Sequence, residues 1–213
     1  MRSLLKSVAF LVSAVAVSPL VVMSKLEERV FGSETERVYG ACKEVLALVP
    51  TAAGNYLRRA YYWGSCRGVA MDASINFGAM IAHRNTIIGK GTVIGSFSII
   101  GSAVIGRDVL IAPKVSILSG KYPHGHPADR GPHGKGESRF EMITIGDGSL
   151  IGQGAIVLVD VGRNCTVGAG SVVNRAVPDG VTVMGNPARR VSLESGDAAG
   201  PVRGAAGGSE GRQ

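Results

Sequence analysis

The stretch IIGKGTVIGSFSIIG, residues 87–101, sets an Ile followed by a Gly at every sixth position. The same hexad, with Ile or Val first and often Gly second, continues as far as Val173. A β-branched residue every six positions, with Gly at the bend, favours short strands separated by tight corners. Three such strands form one triangular coil, and stacked coils bury the Ile and Val columns. The repeat therefore predicts an all-β core built as a parallel β-solenoid.

The first positions of the hexads are β-branched throughout. They are Ile88, Ile94, Ile100, Ile105, Ile111, Ile117, Ile145, Ile151, Val157, Val161, Val167 and Val173, and an earlier pair, Ile75 and Ile81, has the same spacing. Two steps are short: Ile100 to Ile105 is five residues and Val157 to Val161 is four. A helix needs a 3.6-residue period and a half-buried sandwich strand a period of two, and neither fits this pattern.

The hexads stop after Ile117 and resume at Ile145. The break opens with ILSGKYPHGHPADRG, residues 117–131, a polar stretch rich in Pro and Gly that contains His124 and His126. Functional side chains are often carried by loops that a rigid scaffold positions. We interpret this excursion as the segment that carries a catalytic base.

Composition supports a turn-rich fold, because the 213 residues include 31 Gly while aromatic residues make up only 5%. The formal net charge of +7 favours anionic partners. No Lys/Arg run with interleaved aromatic residues marks a nucleic-acid surface, and we do not expect nucleic acid as a partner. The three cysteines, Cys42, Cys66 and Cys165, are too few for a disulfide framework or a metal knuckle and are expected to be reduced thiols.

The N-terminus contains SVAFLVSAVAVSPLVVMS, residues 7–24, which has no charged residue between Lys6 and Lys25. As a helix it would be roughly 27 Å long, marginal for a hydrocarbon core of about 30 Å. Three interpretations stay open: a spanning helix, a membrane-embedded helix bent at Pro19, and a signal peptide cleaved near Ala14-Val15-Ala16. We favour an uncleaved anchor.

Residues 33–68 have a helical pattern. Ser33 and Glu36 form a potential capping box, and a stripe of Val38, Cys42, Val45 and Val49 runs to Pro50. The segment GNYLRRAYYWGSCR, residues 54–67, combines aromatic residues with the Arg58-Arg59 pair. It predicts an interfacial helix beside the anchor, a helix that caps the main domain, or one helix that does both.

Three further segments accompany the hexads: LVPTAAGNYLRRAYY at 48–62, TIGDGSLIGQGAIVLVDVG at 144–162 and VGAGSVVNRAVPDGVTVMGNPARRV at 167–191. With the excursion, they make the chain resemble the bacterial hexapeptide-repeat acyltransferases, in particular the exopolysaccharide O-acetyltransferase branch, over roughly residues 45–191. The resemblance implies a left-handed parallel β-helix, a homotrimer, acetyl-CoA as cosubstrate and no metal cofactor. We expect a sugar or polysaccharide hydroxyl as the acceptor. The Asn and Asp that bind the acceptor in the family's sugar acetyltransferases have no clear counterpart in the early coils here, so the acceptor itself is not carried over.

His124 in KYPHG matches the position of the family's catalytic histidine, whereas His126 in GHPAD matches a motif of its sugar acetyltransferases. A neutral imidazole suits a general base that removes a proton from a hydroxyl. Which of the two serves stays open. Asp129 and Glu137 are candidates to orient the imidazole, while His83 and His133 are expected to be ordinary surface residues.

The resemblance also implies where coenzyme A lies: in the groove between neighbouring subunits, along the late coils. The matching positions in this chain are Gln153, Ala169, Asn174, Arg175, Gly185, Asn186 and Arg189. Small corner residues would let the pantetheine approach backbone amides, and Arg175 and Arg189 would meet phosphates. Leu150 departs from the family, which often has an aromatic residue at that position.

Alternative functions are an N-acetyltransferase acting on an amino sugar, a non-enzymatic trimeric scaffold and a zinc enzyme of the γ-type carbonic anhydrase kind. The expected organisation is an apolar anchor at 1–30, amphipathic or interfacial helices at 31–70, the acyltransferase solenoid at 71–193 with its loop at 119–142, and a disordered tail at 194–213. Because a cytosolic thioester is the expected donor, we expect the protein at the cytoplasmic face of the inner membrane.

Overall fold

The structure, a computed structural model, describes residues 2–119 and 142–191, with side chains from Ser7 onward. Three α-helices precede the strands: α1 (Arg2–Phe31), α2 (Arg37–Ala47) and α3 (Thr51–Ser65). All the strands that follow are two or three residues long. They are β1 (Gly68–Val69), β2 (Ser74–Ile75), β3 (Met80–Ile81), β4 (Ile87–Ile88), β5 (Val93–Ile94), β6 (Ile99–Ile100), β7 (Ala103–Ile105), β8 (Leu110–Ile111), β9 (Ser116–Ile117), β10 (Ile143–Ile145), β11 (Leu150–Ile151), β12 (Ile156–Val157), β13 (Thr166–Val167), β14 (Val172–Val173), β15 (Thr182–Met184) and β16 (Arg189–Arg190).

The strands form three sheets that make the sides of a triangular solenoid. Sheet 1 contains β1, β4, β7 and β10, sheet 2 contains β2, β5, β8, β11, β13, β15 and β16, and sheet 3 contains β3, β6, β9, β12 and β14. All pairings are parallel except β15 with β16, which is antiparallel. Isolated bridges at Val161 and Val177 continue sheet 1. The predicted parallel solenoid is confirmed, with five complete turns and the start of a sixth.

The hexad residues stack in register along the axis, as in the pairs Ile88 with Ile105 and Ile94 with Ile111. Every predicted first-position residue is buried, including Ile75 and Ile81. These columns form one apolar interior that runs the length of the solenoid. The predicted start of this domain was residue 71, and β1 begins at Gly68.

The corners owe their shape to two positions, not to one. The third residue after the inward Ile or Val adopts a left-handed conformation, as at Gly91, Asp108 and Asn164. The Gly that directly follows the inward residue serves another purpose: a Cβ at Gly95 would lie 2.4 Å from backbone atoms of Ala112 and Pro113. The prediction that this second-position Gly makes the bend is therefore wrong. It lets successive turns stack closely, and the bend occurs two residues later.

The helices cover the first turn of the solenoid. Tyr39 of α2 and Tyr61 and Tyr62 of α3 are fully buried and pack ring against ring. Arg58, predicted to form a basic interfacial pair with Arg59, is instead 1% exposed. Its guanidinium donates to the carbonyls of Leu46, Val49 and Ile75. Residues 54–65 thus follow the second interpretation, a helix that caps the main domain.

The capping box predicted at Ser33 and Glu36 does not form, because α2 begins at Arg37 and has no side-chain cap from its own N-terminal residues. Glu27 of α1 takes that role and accepts the N–H groups of Val38 and Tyr39. The predicted buried stripe is also shifted. Tyr39, Cys42 and Leu46 are buried, while Val45 is 64% exposed, since α2 turns a different face toward the solenoid.

Helix α1 continues through Pro19 without interruption. Proline lacks the N–H that would reach the carbonyl of Val15, and the Ser18 hydroxyl donates to that carbonyl at 2.8 Å. Phe10, Val17 and Ser24 lie on a buried seam that packs along α3, where Val21 contacts Gly64. The opposite face of the segment is exposed: Val8, Leu11, Val12, Val15, Val22 and Met23 are 49–73% exposed.

Candidate functional site

The excursion belongs to the corner between sheets 3 and 1, here called the 3–1 corner. It leaves the third turn after β9 and returns at β10. His124, His126, Asp129, Glu137 and His133 all lie at 120–141, outside the described residues. Their predicted roles stay predictions.

Both ends of the excursion are held in the hydrogen-bond ladder of the solenoid. The Leu118 N–H donates to the Val157 carbonyl at 3.0 Å, and the Ile143 N–H donates to the Ser102 carbonyl at 3.0 Å. The Ser119 hydroxyl oxygen accepts the Ser102 N–H at 2.9 Å. The excursion is therefore attached to rigid strands on either side, which is the support that a positioned catalytic group needs.

Four of the predicted coenzyme residues lie together on the corner between sheets 2 and 3, the 2–3 corner. Gln153, Ala169 and the Gly185–Asn186 pair follow β11, β13 and β15 on successive turns. The Gly170 N–H donates to the Gln153 carbonyl at 2.8 Å, so the column is continuous. Beside them, Gly154 and Gly170 adopt left-handed conformations and border open space. This column offers an exposed strip of small residues and backbone amides.

The other three predicted coenzyme residues lie elsewhere. Asn174 and Arg175 follow β14 on the 3–1 corner, two turns beyond the excursion. Arg189 lies on β16, where its guanidinium donates to the neighbouring Ala188 carbonyl at 2.9 Å. All three are exposed. Asn174 and Arg175 are thus separated from the column by the width of sheet 3, whereas Arg189, which pairs with Met184 on sheet 2, lies beside it.

His83 is not the ordinary surface residue predicted. It lies on the 3–1 corner of the first turn, and its Nδ1 is 2.8 Å from Oε2 of Glu36. Burial raises the pKa of Glu36, but hydrogen bonds from His83 and from the Arg84 N–H outweigh that effect and lower it. No sequence signal pairs these residues, because 47 positions separate them.

Arg84, next in the chain, forms a buried ion pair with Glu27 of α1 and also donates to the Ser24 carbonyl and hydroxyl. Its guanidinium lies 5.1 Å from the centre of the Tyr39 ring. The contacts of Arg84 join α1, α2 and the first turn, so the C-terminal part of α1 belongs to the folded domain. No sequence pattern indicates this contact, because 57 positions separate Glu27 from Arg84.

Comparison with known proteins gives the same fold. The family model for the hexapeptide repeat of succinyl-transferase matches residues 85–116 and 142–175. The galactoside O-acetyltransferase of Escherichia coli is 33% identical over 159 residues, which cover 74% of this chain and 68% of that protein. The solved structure of a galactoside acetyltransferase in complex with coenzyme A is 23% identical, covers 76% of this chain and 82% of its own, and superimposes with a TM-score of 0.60.

Other relatives match over shorter lengths. The serine acetyltransferase of Buchnera aphidicola is 43% identical over 94 residues, which cover 43% of this chain. The chain spans 32% of that relative's length, and 43% of the length of a matching acetyltransferase from Saccharomyces cerevisiae. The long match to the Escherichia coli enzyme, with the stacked hexads of the structure, establishes the relationship: the chain belongs to the hexapeptide-repeat acetyltransferase family, whose fold is a left-handed parallel β-helix.

Proposed function

We propose that this chain is an acetyl-CoA-dependent O-acetyltransferase that modifies a sugar hydroxyl of a surface polysaccharide or of its lipid-linked precursor. The observation that carries the proposal is the 159-residue match to a galactoside O-acetyltransferase, which covers 74% of this chain and 68% of that protein. The 2–3 corner supports it, because four residues expected to hold the coenzyme form one exposed column there.

The reaction needs a base for the acceptor hydroxyl, and we assign that role to His124 from its place in the family motif. The imidazole takes the hydroxyl proton while the oxygen attacks the thioester carbonyl. Collapse of the tetrahedral intermediate breaks the carbon–sulfur bond, and the leaving thiolate takes the proton back from the imidazolium. The oxyanion of the intermediate needs a backbone N–H donor nearby. Both ends of the excursion are fixed, which suits such positioning.

We further propose that the active assembly is a homotrimer. Its support is the distribution of the coenzyme residues over two corners, which only a second copy would bring together. Apolar side chains also point outward from two sides of the solenoid: Leu110 and Leu150 on sheet 2, and Ile99 and Ile156 on sheet 3, are 36–46% exposed. Leu150, where the family often has an aromatic residue, lies in this outward-facing set. Exposed apolar patches of this kind are typical of subunit contacts.

The N-terminal helix is proposed to hold the enzyme at a membrane, on the cytoplasmic side where acetyl-CoA is available. By length and composition, Ser7–Phe31 is apolar enough to cross a bilayer. The packing adds to it: one seam of α1 is covered by α3, whereas Val12, Val15 and Val22 are 63–73% exposed. A continuous uncharged surface of this size calls for lipid or a partner to cover it.

Release of coenzyme A from acetyl-CoA, measured with a panel of sugar acceptors, tests the activity. We expect acceptor-dependent release by the full chain and a loss of about 10²–10⁴-fold in His124→Ala. His133→Ala, a histidine of the same excursion, is the matched control and should keep its activity. Loss in His126→Ala alone would assign the base to His126, and absence of release with every acceptor would contradict the proposal.

Flotation with lipid vesicles tests the membrane proposal. The double variant Val12→Glu/Val15→Glu places two charges on the exposed face of α1 and should abolish flotation, because each buried valine contributes on the order of 2 kcal/mol. Val45→Glu, at an equally exposed valine of α2, should float like the unchanged chain. Equal flotation of the two variants would show that the exposed face of α1 does not bind the vesicles.

A further inference from the structure

A polar cavity of about 560 Å³ lies between the start of α3 and the 2–3 corner of the first two turns. Nothing in the reaction assigned above uses it. Its walls come from both elements, and the residues that carry the argument are Thr51, Asn55, Arg58, Arg59, Asp72 and Asn76.

The cavity is electropositive. Arg58 lines it, is 1% exposed, and has no carboxylate within ion-pair distance among residues 2–119 and 142–191. Its Nε and Nη1 donate to carbonyls, while its buried Nη2 has no hydrogen-bond partner in that part of the chain. A buried charge without a counterion is costly unless a ligand compensates it.

Arg59 adds a second positive charge at the cavity. Its guanidinium stacks between the rings of Phe10 and Tyr56, at 4.9 and 4.7 Å from their centres. Its buried Nε also lacks a partner within the described residues. Asp72 is the single carboxylate among the lining residues. Two guanidinium groups against one carboxylate leave the cavity with a net positive charge.

The N-terminus of α3 opens onto the same cavity. Thr51 and Ala52 line it, and the preceding Pro50 provides no side-chain cap for the first N–H groups of the helix. Uncapped N–H groups and the helix dipole favour an anion at this end. The helix end and the guanidinium of Arg58, which has no carboxylate partner among the described residues, therefore indicate the same class of ligand independently.

The remaining walls suit a hydroxylated ring. The Asn55 amide donates to the Ser74 hydroxyl at 2.8 Å and to the Asn76 side-chain oxygen at 3.0 Å. Such amide and hydroxyl groups donate and accept hydrogen bonds in the way that sugar hydroxyls require. Phe77, which packs edge-on against Phe97, provides an apolar wall beside them.

The cavity also lies in line with the coenzyme column. Both are on the 2–3 corner, the cavity at turns one and two and the column from turn four onward. Backbone hydrogen bonds of 2.8–3.1 Å join the corner from end to end: Phe97 to Phe77, Lys114 to Ser96, Gly154 to Pro113 and Gly170 to Gln153. With about 4.8 Å between turns, the second and fourth turns are roughly 10 Å apart.

From these contacts we infer that the cavity binds the anionic group, phosphate or carboxylate, of a negatively charged sugar acceptor. That the bound sugar is the acceptor of the acetyl group rests on the proposed function. That the cavity binds an anionic sugar rests on the cavity alone. Acceptor and acetyl-CoA then approach the middle of one corner from opposite ends. Arg58 and the helix end hold the charge, while Asn55 and Asn76 bind the ring hydroxyls.

Calorimetric titration of the full chain in detergent, without acetyl-CoA, tests the site with glucose 1-phosphate, glucuronate, glucose and inorganic phosphate. We expect one of the two anionic sugars to bind at least about tenfold more tightly than glucose, as a charge interaction of this kind supplies. Which of them binds distinguishes phosphate from carboxylate. Glucose binding as tightly as both anionic sugars, or inorganic phosphate binding more tightly than either, would overturn the inference.

Three charge variants complete the test. Asn55→Asp places a negative charge in the cavity and should weaken binding of the anionic sugar about tenfold or more. Asp72→Asn removes the opposing charge and should tighten it severalfold, a gain that misfolding cannot produce. Asn164→Asp is the matched control, since it lies on a distant corner where Asp108 occupies the equivalent position. No gain in Asp72→Asn, or equal effects of Asn55→Asp and Asn164→Asp, would overturn the inference.

The two proposals fail separately. If the chain bound an anionic sugar but transferred no acetyl group, the site would stand and the proposed reaction would be wrong. If the chain acetylated neutral sugars, and neither Asn55→Asp nor Asp72→Asn changed that activity, the proposed reaction would stand and the anionic-sugar site would be wrong.

Discussion

At two corners of the solenoid, the number of residues between successive inward Ile or Val side chains is the same in every described turn. At the third corner this number varies. The 1–2 and 2–3 corners always take six residues from one inward residue to the next, as from Ile88 to Ile94 and from Ile94 to Ile100. The steps across the 3–1 corner are Ile81 to Ile88, Ile100 to Ile105, Ile117 to Ile145, Val157 to Val161 and Val173 to Val177.

The difference shows where this fold can accept insertions. At the regular corners, Gly residues pack against the backbone of the next turn, as Gly95 does on Ala112, and that contact fixes their length. The 3–1 corner changes length without breaking the parallel register of the strands on either side. The excursion, the Asn174–Arg175 pair and the Arg84 link to α1 all lie there. The attachment to α1 and the segment expected to carry the base therefore both lie at the corner whose length the ladder does not fix.

Excision of residues 120–141 should have the largest effect on function and little on fold. Joining Ser119 to Met142 leaves a short step between Ile117 and Ile145, like the other steps of this corner. We expect the far-UV circular dichroism of a folded solenoid together with a loss of coenzyme A release of about 100-fold or more. Removal of residues 192–213, a deletion of equal length, is the control and should keep the activity. Full activity of the excised chain would place the base outside the excursion.

Gly95→Ala probes a regular corner and should destabilise the fold by about 2–3 kcal/mol, because the added Cβ meets backbone that cannot move aside. Urea unfolding measures the change. Gly40→Ala, on α2 where an added Cβ meets nothing within 4 Å, should instead raise stability by up to about 1 kcal/mol. Equal shifts of the two midpoints would contradict the close stacking of the turns.

Glu36→Gln tests the first turn of the 3–1 corner and should have the smallest effect. The folded-state pKa of Glu36 lies below its usual value of 4.5, so its stabilisation is present above that value and is lost as pH falls through the lowered pKa. The variant should melt a few degrees lower than the unchanged chain at pH 7, and this difference in melting temperature should narrow as the pH falls below 4.5. Glu44→Gln, at an exposed position of α2, is the matched control and should melt like the unchanged chain at pH 7.

Sequence periodicity was enough to predict the solenoid, because each inward Ile or Val repeats a local rule that the stacked turns enforce. The corners were harder to predict. Asp108, Lys114 and Phe97 take the left-handed position although only Gly adopts it without cost, so composition alone hides the bend. The capping box failed because Glu27, from another helix, supplied the acceptor that Ser33 was expected to supply.

The candidate sites likewise differ in how far the sequence could predict them. The coenzyme residues of the 2–3 corner could be grouped from the repeat, since equal steps put them on one edge. The cavity beside α3 could not be predicted. Arg58 and Arg59 are adjacent residues of the same type, and only the fold shows that Arg58 is buried while Arg59 is half-exposed. His83 and Glu36 are likewise joined only by tertiary packing.

The Glu27–Arg84 pair also imposes an order on biosynthesis. The ribosome releases α1 well before residue 84, so the apolar helix meets its surroundings while the carboxylate of Glu27 still lacks its cation. Docking onto the first turn completes that pair and supplies Ser24 with its donor. Docking of α1 onto the solenoid thus waits until the first coil has been synthesised and has formed.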